Sequence, residues 1–216
     1  MNNQLTEIVF ILDRSGSMAG LVDDTIGGFN SMVEKQKREP GEALLTTVLF
    51  SDHTQLLYDR VDIRKAEPMT EQQYQVGGCT ALLDAIGWTV RHIAKIHKYA
   101  REEDRPAKTI FVITTDGMEN ASRTCTYEEV KRLVAHEQEK YGWEFLFLGA
   151  NMDAISAARS FGIRPDRAVR YAPDRRGTML NYQVVSDTVG RVRRHEALDA
   201  DWCAPIAADF QSRGKK

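Results

Sequence analysis

Strand-length apolar runs alternate with amphipathic segments along this chain, and this alternation constrains the fold more than any other feature. The run Thr109–Thr115 is rich in β-branched and aromatic residues, which is typical of a strand buried between two helical layers. Between such runs lie segments whose apolar residues recur at helical spacing, as in Leu82–Ile96. The pattern predicts an α/β fold with a doubly wound, Rossmann-like, mainly parallel sheet and helices on both of its faces.

Six runs qualify as strands, and two of them predict an antiparallel edge. Leu44–Phe50 and Gln55–Val61 are separated by four polar residues, a length typical of a hairpin loop. The other expected strands are Glu7–Leu12, Thr109–Thr115, Trp143–Leu148 and Ala168–Tyr171. The expected helices are Leu21–Lys37, Leu82–Ile96, one that begins at Thr126 with Glu129 in capping-box spacing, Asp153–Phe161 and Leu180–Arg194.

The same pattern predicts how the chain is divided. We expect one α/β domain over residues 1–172 and a C-terminal helical extension over residues 173–216, packed on or beside the same domain. Its end, Gly214–Lys216, has the composition of a weakly ordered terminus. A solvated helix face is favoured over a phosphate or nucleic-acid site for the basic cluster Arg191, Arg193, Arg194 and His195, with Arg175 and Arg176 upstream. Trp88, like Trp143, is expected in the core.

Composition excludes several functional classes. With 29 basic and 31 acidic residues the formal net charge is -2, so attraction to nucleic acid or to an anionic membrane is not favoured. The three cysteines lack C-x-x-C spacing and are odd in number, which argues against a disulfide framework and a zinc site. The apolar run Ile8–Leu12 is too short for a membrane span and follows Glu7 rather than basic residues, unlike a signal peptide. We expect a cytoplasmic protein.

Oxygen-bearing side chains follow three expected elements. Asp13, Ser15 and Ser17 form a D-x-S-x-S run directly after the first strand, Thr80 follows a glycine pair and precedes the second long helix, and Asp116 ends the central strand. Ligands of doubly wound sheets bind at the carboxyl ends of the strands. Carboxylate and hydroxyl oxygens suit a hard divalent cation such as Mg²⁺. These five residues therefore predict a metal site.

Each of these residues also has a structural alternative. Ser15 or Ser17 could cap the helix that follows, Thr80 could be an N-cap, and Asp116 could open a turn before Gly117. Asp84 lies in the first turn of a helix, where a carboxylate stabilises the helix dipole, so helix stabilisation is favoured over ligation. Glu119 and Asn151 border the expected cleft and are weaker candidates.

With these motifs the chain closely resembles the von Willebrand factor type A (vWA) family over about Glu7–Ala172. The metal-ion-dependent adhesion site (MIDAS) of that family is D-x-S-x-S followed by a distant threonine and a later aspartate, and all five positions are present here as Asp13, Ser15, Ser17, Thr80 and Asp116. The resemblance implies a doubly wound sheet with one antiparallel edge strand. It also implies a stand-alone intracellular member of bacterial type.

The resemblance implies a role for each residue. Ser15, Ser17 and Thr80 would supply hydroxyl oxygens to Mg²⁺, Mn²⁺ or Ca²⁺, and Asp13 and Asp116 would act through bound waters or hydrogen bonds to those hydroxyls. A cation held by neutral hydroxyls would accept a carboxylate from a protein partner. The implied function is a non-catalytic protein-binding module. Its partner would be an AAA-type ATPase or a stress-response or metal-handling complex, with no nucleic acid and no membrane involved.

A metal-dependent phosphatase or hydrolase is the alternative hypothesis. Haloacid-dehalogenase-like phosphatases also place an aspartate at the end of the first strand, but they resemble D-x-D there. This chain has Ser15 where the second carboxylate would stand, so the general acid is missing. The sequence therefore favours a protein that is not an enzyme.

Overall fold

The computed structural model describes residues 2–151 and 153–213. Within them the chain forms one six-stranded sheet in the order β3-β2-β1-β4-β5-β6. The strands are β1 (Asn2–Asp13), β2 (Glu42–Phe50), β3 (Thr54–Asp62), β4 (Pro106–Thr115), β5 (Glu144–Gly149) and β6 (Ala168–Arg170). Only β3 runs antiparallel to its neighbour. The predicted α/β fold, a mainly parallel sheet with one antiparallel edge strand, is confirmed.

Helices cover both faces of this sheet. They are α1 (Val22–Gln36), α2 (Leu82–Tyr99), α3 (Tyr127–Tyr141), α4 (Ala154–Ser160), α5 (Arg175–Arg193) and α6 (Ala204–Arg213). Short 3-10 turns span Gly16–Leu21, Ile63–Lys65, Glu102–Asp104 and Pro165–Arg167. Of the helices that the structure describes, none is long and apolar enough to cross a membrane.

Side-chain alternation along β1 divides the interior into two layers. Ile8, Phe10 and Leu12 face a core shared with α1, α5 and α6, whereas Val9 and Ile11 face a core shared with α2, α3 and α4. Because successive residues of a strand point to opposite faces, an uninterrupted apolar run is buried on both sides. This run fixes β1 at the centre of the sheet.

The strand order places the chain reversal between β1 and β4. From β1 the chain winds outward through β2 to β3, and from β4 it winds in the other direction through β5 to β6. The two strands run parallel, with Leu12 opposite Thr114. At such a switch point the loops that leave the two strands diverge and leave a crevice. The crevice lies above Asp13 and Asp116.

The ends of α3 follow from sequence signals. Thr126 accepts a hydrogen bond from the Glu129 N–H while the Glu129 side chain accepts from the Thr126 N–H, so the predicted capping box is formed. Gly142 ends the helix in the left-handed conformation with φ of 64°, which costs glycine little.

The C-terminal segment differs in detail from the expectation. The helix expected at Leu180 begins earlier, at Arg175, and α6 was not expected. Val185 and Val189 of α5 and Ile206 of α6 join the core on the α1 side of the sheet. The predicted division after residue 172 stays a prediction, and the predicted weakly ordered end at 214–216 lies outside the described residues.

Two side-chain predictions are wrong. Arg193 is buried instead of solvated, since its guanidinium donates to the backbone carbonyls of Gln36 and Gly41 and so joins α5 to the end of α1. Trp88 is 41% exposed and stacks on His92, because helical spacing places it at the edge of the buried face of α2. Trp143 is buried as expected.

A matched pair of glycines tests the packing of α1 against α5. A methyl group on Gly28 would lie 2.2 Å from the Tyr182 ring, whereas one on Gly27 would meet no atom within 4 Å. Gly28→Ala should therefore lower the free energy of unfolding by about 1–3 kcal/mol through overpacking. Gly27→Ala should raise it by about 0.5–1 kcal/mol because alanine favours the helix. Urea denaturation measures both, and equal effects would contradict this packing.

Candidate metal centre

The first part of the site is the turn that leaves β1. Asp13 is 1% exposed, and its Oδ1 accepts the N–H of Ser15 at 2.7 Å. The turn is joined to the loop before α2, since Gly16 N–H donates to the Gly78 carbonyl at 3.1 Å and Gly77 N–H donates to the Arg14 carbonyl at 2.9 Å. The backbone thus holds the D-x-S-x-S turn beside the segment that carries Thr80.

A chain of hydrogen bonds crosses the crevice between β1 and β4. The Ser15 and Ser17 hydroxyl oxygens are 3.1 Å apart, and Ser17 Oγ donates to Asp116 Oδ1 at 2.5 Å. Ser17 and Asp116 are 99 residues apart in the sequence. The two strand ends therefore converge as the sequence predicted.

Thr80 lies in the same group. A methyl group placed on Gly117 would lie 3.1 Å from Thr80 Oγ1 and 3.7 Å from Ser17 Oγ. A side chain at position 117 would therefore crowd Thr80 Oγ1, which shows how closely the hydroxyls of Thr80 and Ser17 approach the backbone that follows Asp116. All five residues expected at the site meet above one edge of the sheet.

The structural alternatives do not account for this arrangement. Ser15 occupies the N-cap position of the 3-10 turn Gly16–Leu21. Within this turn, which the structure describes in full, its side chain accepts no hydrogen bond from a backbone N–H. The N-cap of α2 is Ala81 rather than Thr80. Asp116 accepts from Ser17, which lies in another loop. The hydroxyls thus face one another instead of the helix ends.

Several residues that support the site were not predicted. Thr115 Oγ1 donates to Asp13 Oδ2 at 2.5 Å, and the Tyr74 hydroxyl donates to the Asp13 carbonyl. Thr80 N–H donates to Asn120 Oδ1 at 2.9 Å. The hydroxyl at the end of β4 was a signal for Thr115, since polar residues at the carboxyl ends of strands face the crevice. Nothing in the sequence pattern singles out Tyr74, because its contact depends on the path of a loop.

The two weaker candidates, Asn151 and Glu119, hold the loop that follows β4. Asn151, with φ of 54°, donates from its amide to the Asp116 carbonyl at 3.3 Å, and asparagine tolerates this left-handed conformation better than most residues. The Glu119 carboxylate accepts the N–H groups of Leu83 and Ser122 and so fixes the loop after β4 against α2.

Asp84, in the first turn of α2, also holds a neighbouring loop. Its carboxylate accepts the N–H groups of Arg123, Thr124 and Cys125. Burial acts to raise the pKa of Asp84, but these N–H donors outweigh it and hold the pKa below its ordinary value. Asp84 lies in the first turn of α2 as predicted, and its carboxylate also fixes the loop before α3.

Asp13 and Asp116 are two buried carboxylates without a basic counterpart. They are 1% and 5% exposed, and none of the ion pairs among the described residues includes either one. Burial raises the pKa of Asp13, hydrogen bonds from Thr115 and Ser15 act in the opposite direction, and the charge of Asp116 adds to the rise. Uncompensated buried charge is costly, so this arrangement favours a cation.

The donor set fits a hard cation held by oxygen. It consists of hydroxyls and carboxylates, the ligands of Mg²⁺, Mn²⁺ and Ca²⁺. Within residues 2–151 and 153–213, this site included, no group of three or more His, Cys, Asp or Glu side chains is placed to hold a metal ion, so an ion here would depend on the hydroxyls. Ser15, Ser17 and Thr80 would be the ligands here, with Asp13 and Asp116 orienting them.

Comparison with known proteins identifies the fold. No family model and no curated protein sequence matches this chain. Among solved structures, it is similar to the von Willebrand factor type A protein from Catenulispora acidiphila (13% identity, TM-score 0.58, 85% of this chain and 42% of that chain). It is also similar to proximal thread matrix protein 1 of the mussel byssus with a zinc-occupied MIDAS motif (16% identity, TM-score 0.59, 86% and 46%).

A third similar structure is the vWF domain of the type V pili tip protein Mfa5 from Porphyromonas gingivalis (9% identity, TM-score 0.62, 90% of this chain and 98% of that chain). This chain spans less than half the length of the first two proteins. At these identities the likeness concerns the fold. The chain has the vWA fold.

Asp13→Asn tests the electrostatic account of the site. The raised pKa of Asp13 means that its ionised form opposes folding above the folded-state pKa, and this penalty disappears as the pH falls below the ordinary value of about 3.9. In metal-free protein the variant should therefore be more stable than the wild type at neutral pH, with a difference that shrinks in acid. Urea denaturation in chelator at several pH values measures it.

Asp84→Asn is the matched control with the opposite sign. Since the pKa of Asp84 is lowered, its charge stabilises the fold at neutral pH and the variant should lose stability there, with the loss shrinking in acid. A destabilised Asp13→Asn protein at neutral pH would contradict the account.

Proposed function

We propose that this protein is a non-catalytic, metal-dependent protein-binding module. A divalent cation, Mg²⁺ with Mn²⁺ or Ca²⁺ as substitutes, would be held at the five-residue site and would take a carboxylate from a partner protein into its coordination shell. The observation that carries the proposal is the meeting of three hydroxyl residues with two buried carboxylates that form no ion pair with any residue the structure describes.

The ligand chemistry explains why the partner should be acidic. Ser15 and Ser17 are neutral donors, and the two oxygens of Asp13 already accept from Ser15 and Thr115. Direct ligation by neutral oxygens leaves a divalent cation with strong residual attraction for an anion. Asp116, bonded to Ser17, orients a ligand in the same way. The cation, when bound, supplies a Lewis-acidic position to which a carboxylate can bind.

Two features support recognition rather than turnover. The residue two positions after Asp13 is Ser15, which provides no second carboxylate to act as general acid. The site is also open, because Ser17 and Gly16 are exposed, whereas active sites commonly exclude water. No observation favours the phosphatase alternative.

The setting is part of the proposal. We infer a cytoplasmic module that binds a protein, with an AAA-type ATPase or a stress-response or metal-handling complex as the expected partner. The formal net charge of -2 gives no support for nucleic acid or an anionic membrane as partner.

Added Mg²⁺ should stabilise the protein. At ten times the dissociation constant, binding to the folded state alone adds about 1.4 kcal/mol, equivalent to about 3–6 °C in melting temperature for a chain of this size. Differential scanning fluorimetry with Mg²⁺ and with chelator measures the shift. Ser15→Ala/Ser17→Ala should abolish it, while Ser31→Ala, on the exposed side of α1, should retain it. A shift of equal size in both variants would place the cation elsewhere.

Partner capture should depend on the same ion and the same residues. Immobilised protein incubated with cell extract in Mg²⁺ should retain a partner that chelator releases and that the Ser15→Ala/Ser17→Ala variant does not bind. Mass spectrometry identifies the retained protein. Retention that persists in chelator would refute a metal-bridged contact.

A further inference from the structure

A small cavity lies between the sheet and the helices α1 and α5. Phe10 of β1, Val112 of β4 and Val185 of α5 form apolar parts of its wall. The space open to the centre of a water molecule there is about 10 Å³, which is close to the roughly 10–15 Å³ that one buried water needs. The cavity can therefore hold one small molecule and nothing larger.

Three polar side chains line the same cavity. They are Thr25 of α1 and Thr178 and Asn181 of α5, and they are 2%, 5% and 4% exposed. Within residues 2–151 and 153–213, none of the atoms Thr25 Oγ1, Thr178 Oγ1 and Asn181 Oδ1 has a hydrogen-bond partner. Burying a polar group without a partner is unfavourable. Three such groups around one cavity therefore indicate a ligand that pairs with them.

The two threonines differ from other buried threonines on the helices of this protein. Thr89 donates its hydroxyl to the Ala85 carbonyl at 2.6 Å, and Thr188 donates to the carbonyl four residues before it at 2.8 Å. A helical threonine commonly satisfies its hydroxyl in this way. Thr25 and Thr178 make no such bond within the described chain. Their hydroxyls are thus available to the cavity that they line.

Thr25 also lies near the turn that follows β1. Burial raises the pKa of Tyr74, and the Thr25 hydroxyl acts in the opposite direction, so the two hydroxyls are neighbours. No hydrogen bond of ordinary geometry joins Thr25 Oγ1 to Tyr74, whose hydroxyl donates to the Asp13 carbonyl. The cavity is therefore one side chain away from the backbone of the D-x-S-x-S turn.

The polar atoms match the hydrogen-bonding capacity of one water molecule. Asn181 Oδ1 can only accept a hydrogen bond, whereas the hydroxyls of Thr25 and Thr178 can also donate. A water molecule can donate to Asn181 and accept from both threonines, which gives the three hydrogen bonds typical of buried water. These three protein atoms carry no formal charge, so the lining favours a neutral ligand over an ion.

We propose that this cavity binds one ordered water molecule that joins Thr25 of α1 to Thr178 and Asn181 of α5. The water belongs to the interface that holds α5 against α1, together with the close approach of Gly28 to Tyr182. It gives a reason for two polar residues, three positions apart, on a face of α5 that otherwise packs in the core. The proposal does not depend on the metal ion.

Thr178→Val tests the water through the sign of a stability change, because valine keeps the shape of threonine and removes the hydroxyl. In chelator the variant should lower the midpoint of urea denaturation, since the bound water loses one of its three partners. In a dry cavity it would raise the midpoint, since a methyl group would replace an unpartnered buried hydroxyl. Thr47→Val is the matched control. Thr47 Oγ1 is also buried without a partner among the described residues but lies outside this cavity, so this variant should raise the midpoint.

Crystal structures give the direct readout. Wild-type protein crystallised in chelator should show one water within hydrogen-bond distance of Thr178 Oγ1 and Asn181 Oδ1. Thr25→Val/Thr178→Val should show none, because one remaining partner is fewer than the two to four that hold a buried water. A wild-type cavity without electron density, density too large for one water, or a Thr178→Val midpoint at or above that of the wild type would overturn the proposal and leave the proposed function untouched.

Discussion

The hydrogen bond from Ser17 to Asp116 joins the two halves of the sheet at the point where the winding direction changes, and the site depends on it. Ser17 belongs to the turn after β1 and Asp116 follows β4. The bond brings a neutral hydroxyl and a buried carboxylate into one group that also contains Ser15 and Thr80. Without it, two loops would border a crevice with no shared donor set.

The cost of this arrangement is electrostatic. Two carboxylates are buried close to one another, and the burial and mutual repulsion that raise the pKa of Asp13 oppose folding in the absence of a counter-charge. Proteins commonly carry such locally unfavourable arrangements where they bind a ligand. A divalent cation would turn this repulsion into attraction, so the same residues would link stability to ligand binding.

The fold could be predicted from sequence because β1 and β4 are continuously apolar, and such runs have one stable environment, between two layers of helices. The hairpin of β2 and β3 could equally be predicted from the four polar residues between its two apolar runs, of which the last, Thr54, is the first residue of β3. The C-terminal region could not be predicted in the same way, because the spacing of apolar residues is not strongly helical at the start of α5, at Arg175, or anywhere in α6. Arg193 was misassigned because its burial depends on carbonyls at the end of α1, more than 150 residues away. The five site residues were predictable by position, and Thr115 had a signal in its place at the end of β4. Asn120 and Tyr74 support the site through contacts that only the folded chain creates.

The central claim is that the oxygen cluster of Ser15, Ser17 and Thr80 is where a divalent cation binds. Crystals grown with Mn²⁺ and measured at the manganese absorption edge test it most directly, because the anomalous signal locates the ion without reference to the chemistry assumed here. The account predicts one strong peak within coordination distance of Ser15 Oγ and Ser17 Oγ. A peak at another cluster of side chains, or an absence of ordered manganese above the ends of β1 and β4, would contradict it.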